Sequence, residues 1–466
     1  MKLTFKNITK TIIVISITLI GFSLWAQQSY IKVGEAKGKK SNLAFPPFNS
    51  IAKTSSPQAI EIYETAKRDL DFSSYFTLIN NSAFLEDPAK TAVKPAPEPN
   101  GFTYEPLKTI GAEFLIRTAY SVAGDELTVE MFLYHVPQQK LIIGKRYKTT
   151  ASQAKKIGHT LANDVLEALT GTRGPFMSKI TATSNRANGP NSLIKEVVTM
   201  NWDGTDINTI SNHKSNAVSP SWSEDGKKIV YSVFTTFFRK VGGPLSNFSL
   251  YMQDVVSGKR TLVSYRPGVN SGGIFSKDGK YIYLAMSMNS GATDLYKINA
   301  ISGEIVNRLT KGPAGAINVE PVLSPDGSKI AFSSDRGGRP MIYTMNEDGS
   351  NIKRLTFDGV YNASPSWSPD GKKIAFAGQS NNNFDVFVMN ADGSNIIRVT
   401  SAKKSNGQLA HNEDPSFSPD SRFLIYSSNR TGKNQLYIST ADGSEERRVT
   451  NDNYNYYKPK WSQNFE

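Results

Sequence analysis

The stretch SPSWSPDGKKIAFA (364–377), followed by VFVMNADGSNIIRVT (386–400), decides the fold of this 466-residue chain. Each half holds two short apolar runs separated by a tight turn, at Pro369-Asp370-Gly371 in the first and at Asp392-Gly393 in the second. Asp-Gly between alternating apolar runs is typical of β-hairpins, because glycine adopts φ > 0 without a steric cost. The two halves therefore predict two consecutive hairpins, which together make a four-stranded unit.

Both halves recur between residues 197 and 463. The first pattern also occurs at 219–232, 272–285, 320–333 and 414–427, and a truncated copy, KPKWSQ, occurs at 458–463. The second pattern begins at Val197, Leu250, Leu295, Ile342, Val386 and Leu436. Four strands in roughly 45 residues is the period of a β-propeller blade. The repeats therefore predict an all-β propeller.

The order of the two patterns predicts how the ring closes. The array begins with a hairpin of the second type at 197–211 and ends with an orphan inner strand at 459–462. Joining the two completes a sixth blade from both ends of the array and removes the open sheet edges. We therefore predict a six-bladed propeller over residues 176–466, closed by the C-terminal strand. The Asp-Gly sites are interpreted as turns and not as calcium loops, because their carboxylates stand alone.

Residues 27–175 have a different pattern and predict a small N-terminal α/β domain, an α+β sandwich. Apolar residues at helical spacing follow Ser56-Pro57, and a second amphipathic helix is predicted over 154–169, ending at Gly171. Alternating runs at 113–122, 127–136 and 141–147 predict strands. The proline-rich stretch 86–101 predicts an exposed, semi-rigid loop. Because the connection at 172–178 is short, we expect the two domains to touch.

The N-terminus carries an export signature. Lys2, Lys6 and Lys10 precede an apolar run without charges at 11–25, and the small residue Ala26 is suited to cleavage. The run is shorter than the roughly 20 residues of a spanning helix, so residues 1–26 predict a cleaved signal peptide and not a membrane anchor. The net charge of +13 is scattered without interleaved aromatic residues, which disfavours a nucleic-acid partner. The lack of cysteine excludes disulfides and thiolate chemistry.

Catalytic signatures are missing from the sequence. It holds no G-x-S-x-G elbow, no H-E-x-x-H motif and no phosphate-binding glycine loop. His159 is interpreted as structural, and His411, beside Glu413 and Asp414, lacks the further ligands that a metal site requires. We therefore predict no catalytic, cofactor-binding or metal-binding residues.

The face opposite the Asp-Gly turns is a candidate docking surface. There the connection from each outer strand to the next inner strand lies beside the central channel, and side chains from six blades converge. The aligned positions form a small, polar ring of mixed charge, although turn propensity alone equally explains its asparagines. The ring consists of Ala217, Asn270, Asn318, Asn362, Asn412 and Tyr456, then Val218, Ser271, Val319, Ala363, Glu413 and Tyr457, then Ser219, Gly272, Glu320, Ser364, Asp414 and Lys458.

With these features the chain resembles the TolB family, periplasmic propellers of the Tol–Pal system. The resemblance rests on the S-P-D-G repeat, on GHTLANDVLEALTGTRGPF (158–176), which looks like the family's interdomain helix and linker, and on the closing K-W-S. It covers essentially the whole mature chain. It implies a periplasmic, non-enzymatic adaptor that links the outer-membrane lipoprotein Pal with TolA of the inner membrane. Such an adaptor supports outer-membrane integrity and invagination during cell division.

The resemblance also implies two sets of binding residues. For Pal it implies the channel face, with Val269 standing where the family usually has histidine: Val269, Asn270, Ser271, Gly272, Asn318, Val319, Glu320, Asn362, Ala363, Glu413 and Asp414. For TolA it implies the mature N-terminus, which can add a strand to a partner sheet: Gln27, Gln28, Ser29, Tyr30, Ile31, Lys32 and Val33. We expect Val319 to project from the ring without packing into a blade. A monomer without a membrane span after cleavage is expected.

Two other classes stay open. One is the propeller half of a hydrolase or peptidase, which would need a nucleophile elbow. The other is a propeller that binds carbohydrate or another small molecule, which would need aromatic platforms at the channel mouth. Tyr456 and Tyr457 are the only aromatic residues at the aligned ring positions, and both belong to one blade.

Overall fold

The computed structural model describes residues 40–50, 56–87, 90–238, 244–288, 291–380 and 382–465. In it, an N-terminal α/β domain precedes a propeller of six four-stranded sheets. Both parts of the predicted fold class are confirmed. The predicted signal peptide at 1–26 and the predicted TolA-binding residues 27–33 lie outside the described residues.

A mixed sheet forms the centre of the N-terminal domain. Its elements are β1 (Ser41–Ala44), β2 (Asn49–Ser50), α1 (Pro57–Phe72), β3 (Phe76–Leu78), β4 (Ala92–Pro95), β5 (Gly101–Phe102), α2 (Glu105–Thr109), β6 (Phe114–Ala123), β7 (Glu126–His135), β8 (Lys140–Thr150) and α3 (Ala154–Thr170). The strand order is β3-β1-β6-β7-β8, with β2 also paired to β6. β1 runs parallel to β3 and β6, whereas β6, β7 and β8 form an antiparallel meander.

Helix α1 begins, and helix α3 begins and ends, where the sequence predicts. Helix α1 starts after Ser56, whose Oγ accepts a hydrogen bond from the Ala59 N–H at 3.3 Å, a typical N-cap. Helix α3 ends at Gly171, which has a φ of 76°, the left-handed conformation that favours glycine. The helices approach each other closely at Gly158, where a Cβ would lie 2.6 Å from the Cβ of Thr65. Glycine is therefore required for this packing.

The proline-rich stretch 86–101 is more ordered than predicted. Strands β4 and β5 pair within it, and Arg117 of β6 donates hydrogen bonds to the carbonyl oxygens of Thr91 (2.6 Å) and Ala92 (3.2 Å). The Tyr134 hydroxyl donates to the carbonyl of Val93 at 3.0 Å. These contacts come from residues distant in sequence, so the local proline content could not reveal them.

The propeller contains 24 described strands in six blades. They are β9 (Ser178–Ser184), β10 (Glu196–Asn201), β11 (Asn208–Thr209), β12 (Ala217–Trp222), β13 (Lys228–Phe238), β14 (Pro244–Asp254), β15 (Arg260–Ser264), β16 (Asn270–Phe275), β17 (Tyr281–Met286), β18 (Asp294–Asn299), β19 (Ile305–Arg308), β20 (Asn318–Leu323), β21 (Lys329–Ser334), β22 (Met341–Asn346), β23 (Lys353–Arg354), β24 (Tyr361–Trp367), β25 (Lys373–Ser380), β26 (Asn383–Asn390), β27 (Ile397–Arg398), β28 (Asn412–Phe417), β29 (Phe423–Ser428), β30 (Gln435–Thr440), β31 (Glu446–Arg448) and β32 (Tyr456–Asn464).

The closing blade combines both ends of the propeller, as predicted. Its strand order is β11-β10-β9-β32, and β32 pairs antiparallel with β9. Strand β9 was not predicted as part of this blade. Its sequence SKITATS alternates in polarity but has no Asp-Gly turn before it, so the repeat comparison did not reach it.

The N-terminal domain packs against the face of the propeller that carries the Asp-Gly turns. The ring of Phe72 lies 4.5 Å from that of Trp202 and 4.7 Å from that of Phe423. Arg422, in the turn between β28 and β29, lies 3.6 Å from the ring of Tyr75 and donates a 2.8 Å hydrogen bond to the carbonyl of Ser73. The expected contact between the domains is confirmed. Since antiparallel blades place their other connections at the far end, the described part of the N-terminal domain leaves the opposite face uncovered.

Candidate partner-binding site at the channel mouth

Every inner strand carries a bulge at the same place. The register with the second strand shifts at this aligned place in all six blades, and a second time near the end of β32. A bulge redirects a side chain. One residue of each bulge has a left-handed φ between 46° and 69°. These six residues line a small cavity of about 50 Å³ along the propeller axis. They are Ser219, Gly272, Glu320, Ser364, Asp414 and Lys458, which the repeat alignment had already grouped.

Four of these residues form an ionic cluster that joins four blades. The Nζ of Lys458 lies 2.8 Å from Oε1 of Glu320 and 3.0 Å from Oδ1 of Asp414. Ser364 donates its backbone N–H to Glu320 (2.7 Å) and its hydroxyl to Asp414 (2.8 Å). Burial alone would raise the pKa of each carboxyl, but Lys458 and these hydrogen bonds hold the pKa of Glu320 and of Asp414 below the ordinary value. Both carboxylates are therefore ionised, and with the single ammonium group of Lys458 the cluster has a net charge of −1.

Above this cluster the channel widens into an open cavity of about 300 Å³. Its lining contains the predicted residues Glu320, Ala363, Glu413 and Asp414. The rest of the lining comes from Lys195, between β9 and β10, and from strand residues with apolar, aromatic, hydroxyl and basic side chains: Thr183, Val218, Tyr361, Ser364, Ala377, Phe384, Tyr457 and Lys458. We call this cavity the channel mouth. It is a concave surface of the kind that binds ligands and partner side chains.

Glu413 differs from the other carboxylates at the channel mouth. Within the described residues its side chain makes neither a hydrogen bond nor an ion pair, and it is half-buried. Burial, and then the neighbouring Asp414, raise its pKa to about 7. Nearby, the Nζ of Lys195 lies 4.3 Å from the centre of the Tyr457 ring. A half-buried carboxylate without a partner is costly, and it marks this position as a candidate contact.

The asparagines of the predicted Pal-binding set lie inside the blades. Asn270, Asn318 and Asn362 are buried, and their side-chain amides donate to the backbone carbonyls of Arg266, Thr293 and Asp358 respectively. Burial leaves these side chains no area for a partner. Their amides instead hold the loops that enter the inner strands, which agrees with the turn-propensity alternative.

The remaining predicted residues lie around the channel without lining its mouth. Val269 and Ser271 are half-buried, and Gly272 lines the axial cavity below. The expectation that Val319 projects freely is wrong, because Val319 packs against the apolar cluster that contains Tyr283 and Leu295. Its position next to a bulge turns it toward the neighbouring blade.

Sequence reasoning missed five residues of the channel mouth: Thr183, Lys195, Tyr361, Ala377 and Phe384. Lys195 and Phe384 lie at second-to-third-strand connections, whose lengths vary between repeats. Tyr361 directly precedes Asn362, so extending the alignment by one residue would have included it. Conversely, the sequence alignment placed Tyr456 in the ring, but the structure shows that it does not line the channel mouth. Its side chain is fully buried, and its hydroxyl donates to Asp452 at 2.7 Å.

Fold and site together define a class of protein. It is a closed six-bladed β-propeller with an α/β domain on one face and a concave surface, whose lining differs from blade to blade, on the other. A family model described as the TolB beta propeller domain matches residues 166–465, and one described as the TolB amino-terminal domain matches residues 29–142. The chain belongs to the TolB family. The prediction of a non-enzymatic protein is confirmed by this membership.

Individual relatives agree with this assignment. The "Tol-Pal system protein TolB" of Desulfosudis oleivorans is 32% identical over 292 residues, which cover 62% of this chain and 62% of that protein. The "Protein TolB homolog" of Chlorobium chlorochromatii is 31% identical over 311 residues, which cover 67% of this chain and 65% of that protein. The chain thus spans a little under two thirds of the length of these curated relatives. The crystal structure of TolB from Acinetobacter baumannii aligns with a TM-score of 0.75 at 25% identity, covering 93% of this chain and 99% of that one.

No helix among the described residues is long and apolar enough to cross a membrane. The described part of the chain also holds no group of three His, Cys, Asp or Glu residues that could bind a metal ion. His159 contacts Asp69, with its Nδ1 2.5 Å from Oδ2, in the interface between α1 and α3.

Proposed function

We propose that this protein is a periplasmic adaptor of the Tol–Pal system. It binds the outer-membrane lipoprotein Pal at the channel mouth and the inner-membrane protein TolA through residues 27–33. By linking the two membranes it supports outer-membrane integrity and invagination during cell division. The leader at residues 1–26 directs it to the periplasm, where it acts as a monomer.

The observation that carries this proposal is the placement of the channel mouth. It lies on the propeller face that the described N-terminal domain leaves uncovered, and side chains from several blades converge there. The membership of its relatives in the Tol–Pal system supports the choice of partners. Aromatic side chains half-exposed in a concave centre are typical anchors of protein interfaces.

Phe384 is the best residue for testing the Pal interface. Its ring packs edge-on against that of Tyr361 at 5.6 Å, inside the channel mouth. We expect Phe384→Ala to weaken binding of the Pal periplasmic domain at least about tenfold, the usual effect of losing an interface anchor. Binding is measured by calorimetry on the mature protein.

Phe248 provides a matched control. Like Phe384 it lies in the third strand of a blade, and its ring packs edge-on against another aromatic ring, that of Phe234 in the second strand, at 5.5 Å. It does not line the channel mouth. Phe248→Ala should leave Pal affinity within about twofold of wild type. Equal losses in the two variants, or none in either, would contradict the proposed interface.

Deletion of residues 27–33 tests the proposed TolA contact by the same calorimetric method. The deletion should abolish TolA binding. Retained binding would show that these residues do not bind TolA.

The two alternative classes receive less support. The matched TolB models account for residues 29–142 and 166–465, which disfavours a hydrolase. Aromatic residues do line the channel mouth, but the ring of Tyr457 is covered by Lys195 and the rings of Tyr361 and Phe384 are nearly perpendicular, at 86°. Such rings do not form the open parallel platform on which a sugar would stack.

A further inference from the structure

We propose that the channel mouth binds a lysine or arginine side chain of the partner protein, with its cation placed between the Glu413 carboxylate and the ring of Tyr361. This inference rests on the proposed function and specifies the chemistry of the contact. It makes Glu413 a residue that selects the partner.

The charges of the channel mouth leave room for one cation. Its lining holds three carboxylates, of Glu320, Glu413 and Asp414, and two ammonium groups, of Lys195 and Lys458. Lys458 bridges Glu320 and Asp414, and Lys195 lies over the ring of Tyr457. Glu413 is therefore the carboxylate without a counter-ion among the described residues. One added positive charge makes the lining neutral.

Aromatic rings line the same cavity as this carboxylate. Tyr361 is 37% exposed, and burial, with smaller contributions from the charges that include Glu413, raises the pKa of its hydroxyl. The ring of Phe384 lies 5.6 Å from that of Tyr361, and the ring of His411 lies 6.0 Å from that of Phe384. An ammonium or guanidinium group over an aromatic face gains cation–π energy, and a carboxylate on its other side adds a charge-assisted hydrogen bond. A neutral or acidic side chain gains neither.

The pKa of Glu413 gives the contact a pH dependence. Burial and Asp414 raise this pKa to about 7, while Lys458 lowers it and Glu320 raises it. Lys195, Tyr361 and Tyr457 are further titratable groups in the same lining, and the ring of His411 lies 6.0 Å from that of Phe384. Because only the ionised carboxylate attracts a cation, partner affinity should fall as the pH drops from 8 to 6. Conversely, a bound cation lowers the pKa of Glu413, so binding releases a proton near pH 7.

The test compares Glu413→Gln with Glu224→Gln in the full mature protein. Glu224 is an exposed carboxylate in a turn on the opposite face, so its variant changes the net charge equally. Glu413→Gln should weaken binding of the Pal periplasmic domain by about ten- to a hundredfold at pH 8, the usual effect of losing a charge-assisted hydrogen bond. It should also remove the pH dependence between pH 6 and 8. Glu224→Gln should change neither.

Several outcomes would overturn the inference. If Phe384→Ala weakens Pal binding while Glu413→Gln keeps both the affinity and the pH profile of wild type, the cation pocket is wrong and the adaptor function stands. If wild type does not bind Pal, the proposed function fails. The cation pocket is then tested separately with Nα-acetyl-arginine amide, a small molecule that carries the arginine side chain. Wild type should show methyl NMR shifts at Ala363 and Ala377 with this probe, and Glu413→Gln should not.

Stability and ligand controls complete the design. Glutamine has nearly the shape of glutamate, and the raised pKa means that ionised Glu413 costs stability. That cost appears as the pH rises toward and through the folded-state pKa of about 7. Glu413→Gln should therefore melt at a higher temperature than wild type at pH 8 and nearly the same temperature at pH 5. A lower melting temperature at pH 8, or binding of N-acetylglucosamine in place of the arginine probe, would contradict the pocket.

Discussion

At the scale of the residue, the asparagines that begin the inner strands stabilise the fold. Asn318 uses both ends of its amide: Nδ2 donates to the carbonyl of Thr293 at 3.0 Å, and Oδ1 accepts from Ser334 (2.8 Å) and Arg336 (2.7 Å). Asparagine suits this position because one short side chain both donates and accepts. The same residue type therefore recurs in successive blades without serving as a partner contact.

Asn318→Ala should lower the free energy of unfolding by about 1–3 kcal/mol, because buried polar groups lose their partners. Urea denaturation measures this loss, and Pal affinity well below the melting temperature should stay within about twofold. Asn307→Ala, at an exposed asparagine of β19, should change stability by less than about 0.5 kcal/mol. A stable Asn318→Ala protein that no longer binds Pal would reverse this interpretation.

At the scale of the element, strand β32 holds the ring closed. Trp461 donates its indole Nε1–H to the Ser178 hydroxyl of β9 at 2.6 Å, and its backbone N–H to the Ser416 hydroxyl of the neighbouring blade at 3.0 Å. Trp367 occupies the equivalent place in another blade, but its Nε1 has no hydrogen-bond partner in the described part of the chain. The closing strand therefore has a polar attachment that this internal strand lacks.

Trp461→Ala should cost about 3–5 kcal/mol, as expected for a buried tryptophan. Substitution by phenylalanine separates packing from hydrogen bonding: Trp461→Phe should cost about 1 kcal/mol more than Trp367→Phe, because only the former loses a bond. Denaturant unfolding gives both values. Equal costs for the two phenylalanine variants would show that the Nε1–Ser178 bond does not stabilise closure.

At the scale of the whole molecule, the two domains share one apolar cluster. Phe72 of α1, Phe176 of the linker, and Trp202 and Phe423 of the propeller belong to it. Lys40 adds an ion pair with Glu445 at 2.7 Å. A continuous core of this kind predicts that the domains unfold together.

Wild type should therefore show one calorimetric transition, and Phe72→Asp should show two, because a carboxylate in the cluster is costly to bury. Protease should then cut Phe72→Asp within the 171–177 linker. Ile60→Asp, at a 56% exposed position of the same helix, should keep one transition and an intact linker. Two transitions in wild type would contradict a shared core.

Regular features of the sequence predicted most of the fold. Helix α1 follows from Ser56-Pro57 and its apolar spacing, and the blades follow from the Asp-Gly turns. Strand β9 and the β4–β5 pair escaped prediction because their partners are distant in the chain: β9 pairs with β32, and Arg117 holds the β4–β5 segment. Local patterns cannot carry such information.

The site was predicted only in part. Aligned repeats placed Glu413 and Asp414 on the channel face, yet the same alignment could not show that Asn318 is buried or that Phe384 reaches the mouth. Which side chain faces the channel depends on the bulge and on the left-handed φ of a single residue in each inner strand. These are backbone properties that nearby residues alone do not determine.

The sequence by itself determined the number of blades, the way the ring closes and the presence of an α/β domain, because each of these depends on periodic burial and turn chemistry within short segments. Only the tertiary structure decided which charges find partners. Lys458, Glu320 and Asp414 lie 44 or more residues apart, and they meet because ring closure brings four blades to one axis. Among the described residues the same closure leaves Glu413, one residue from Asp414, without a counter-ion.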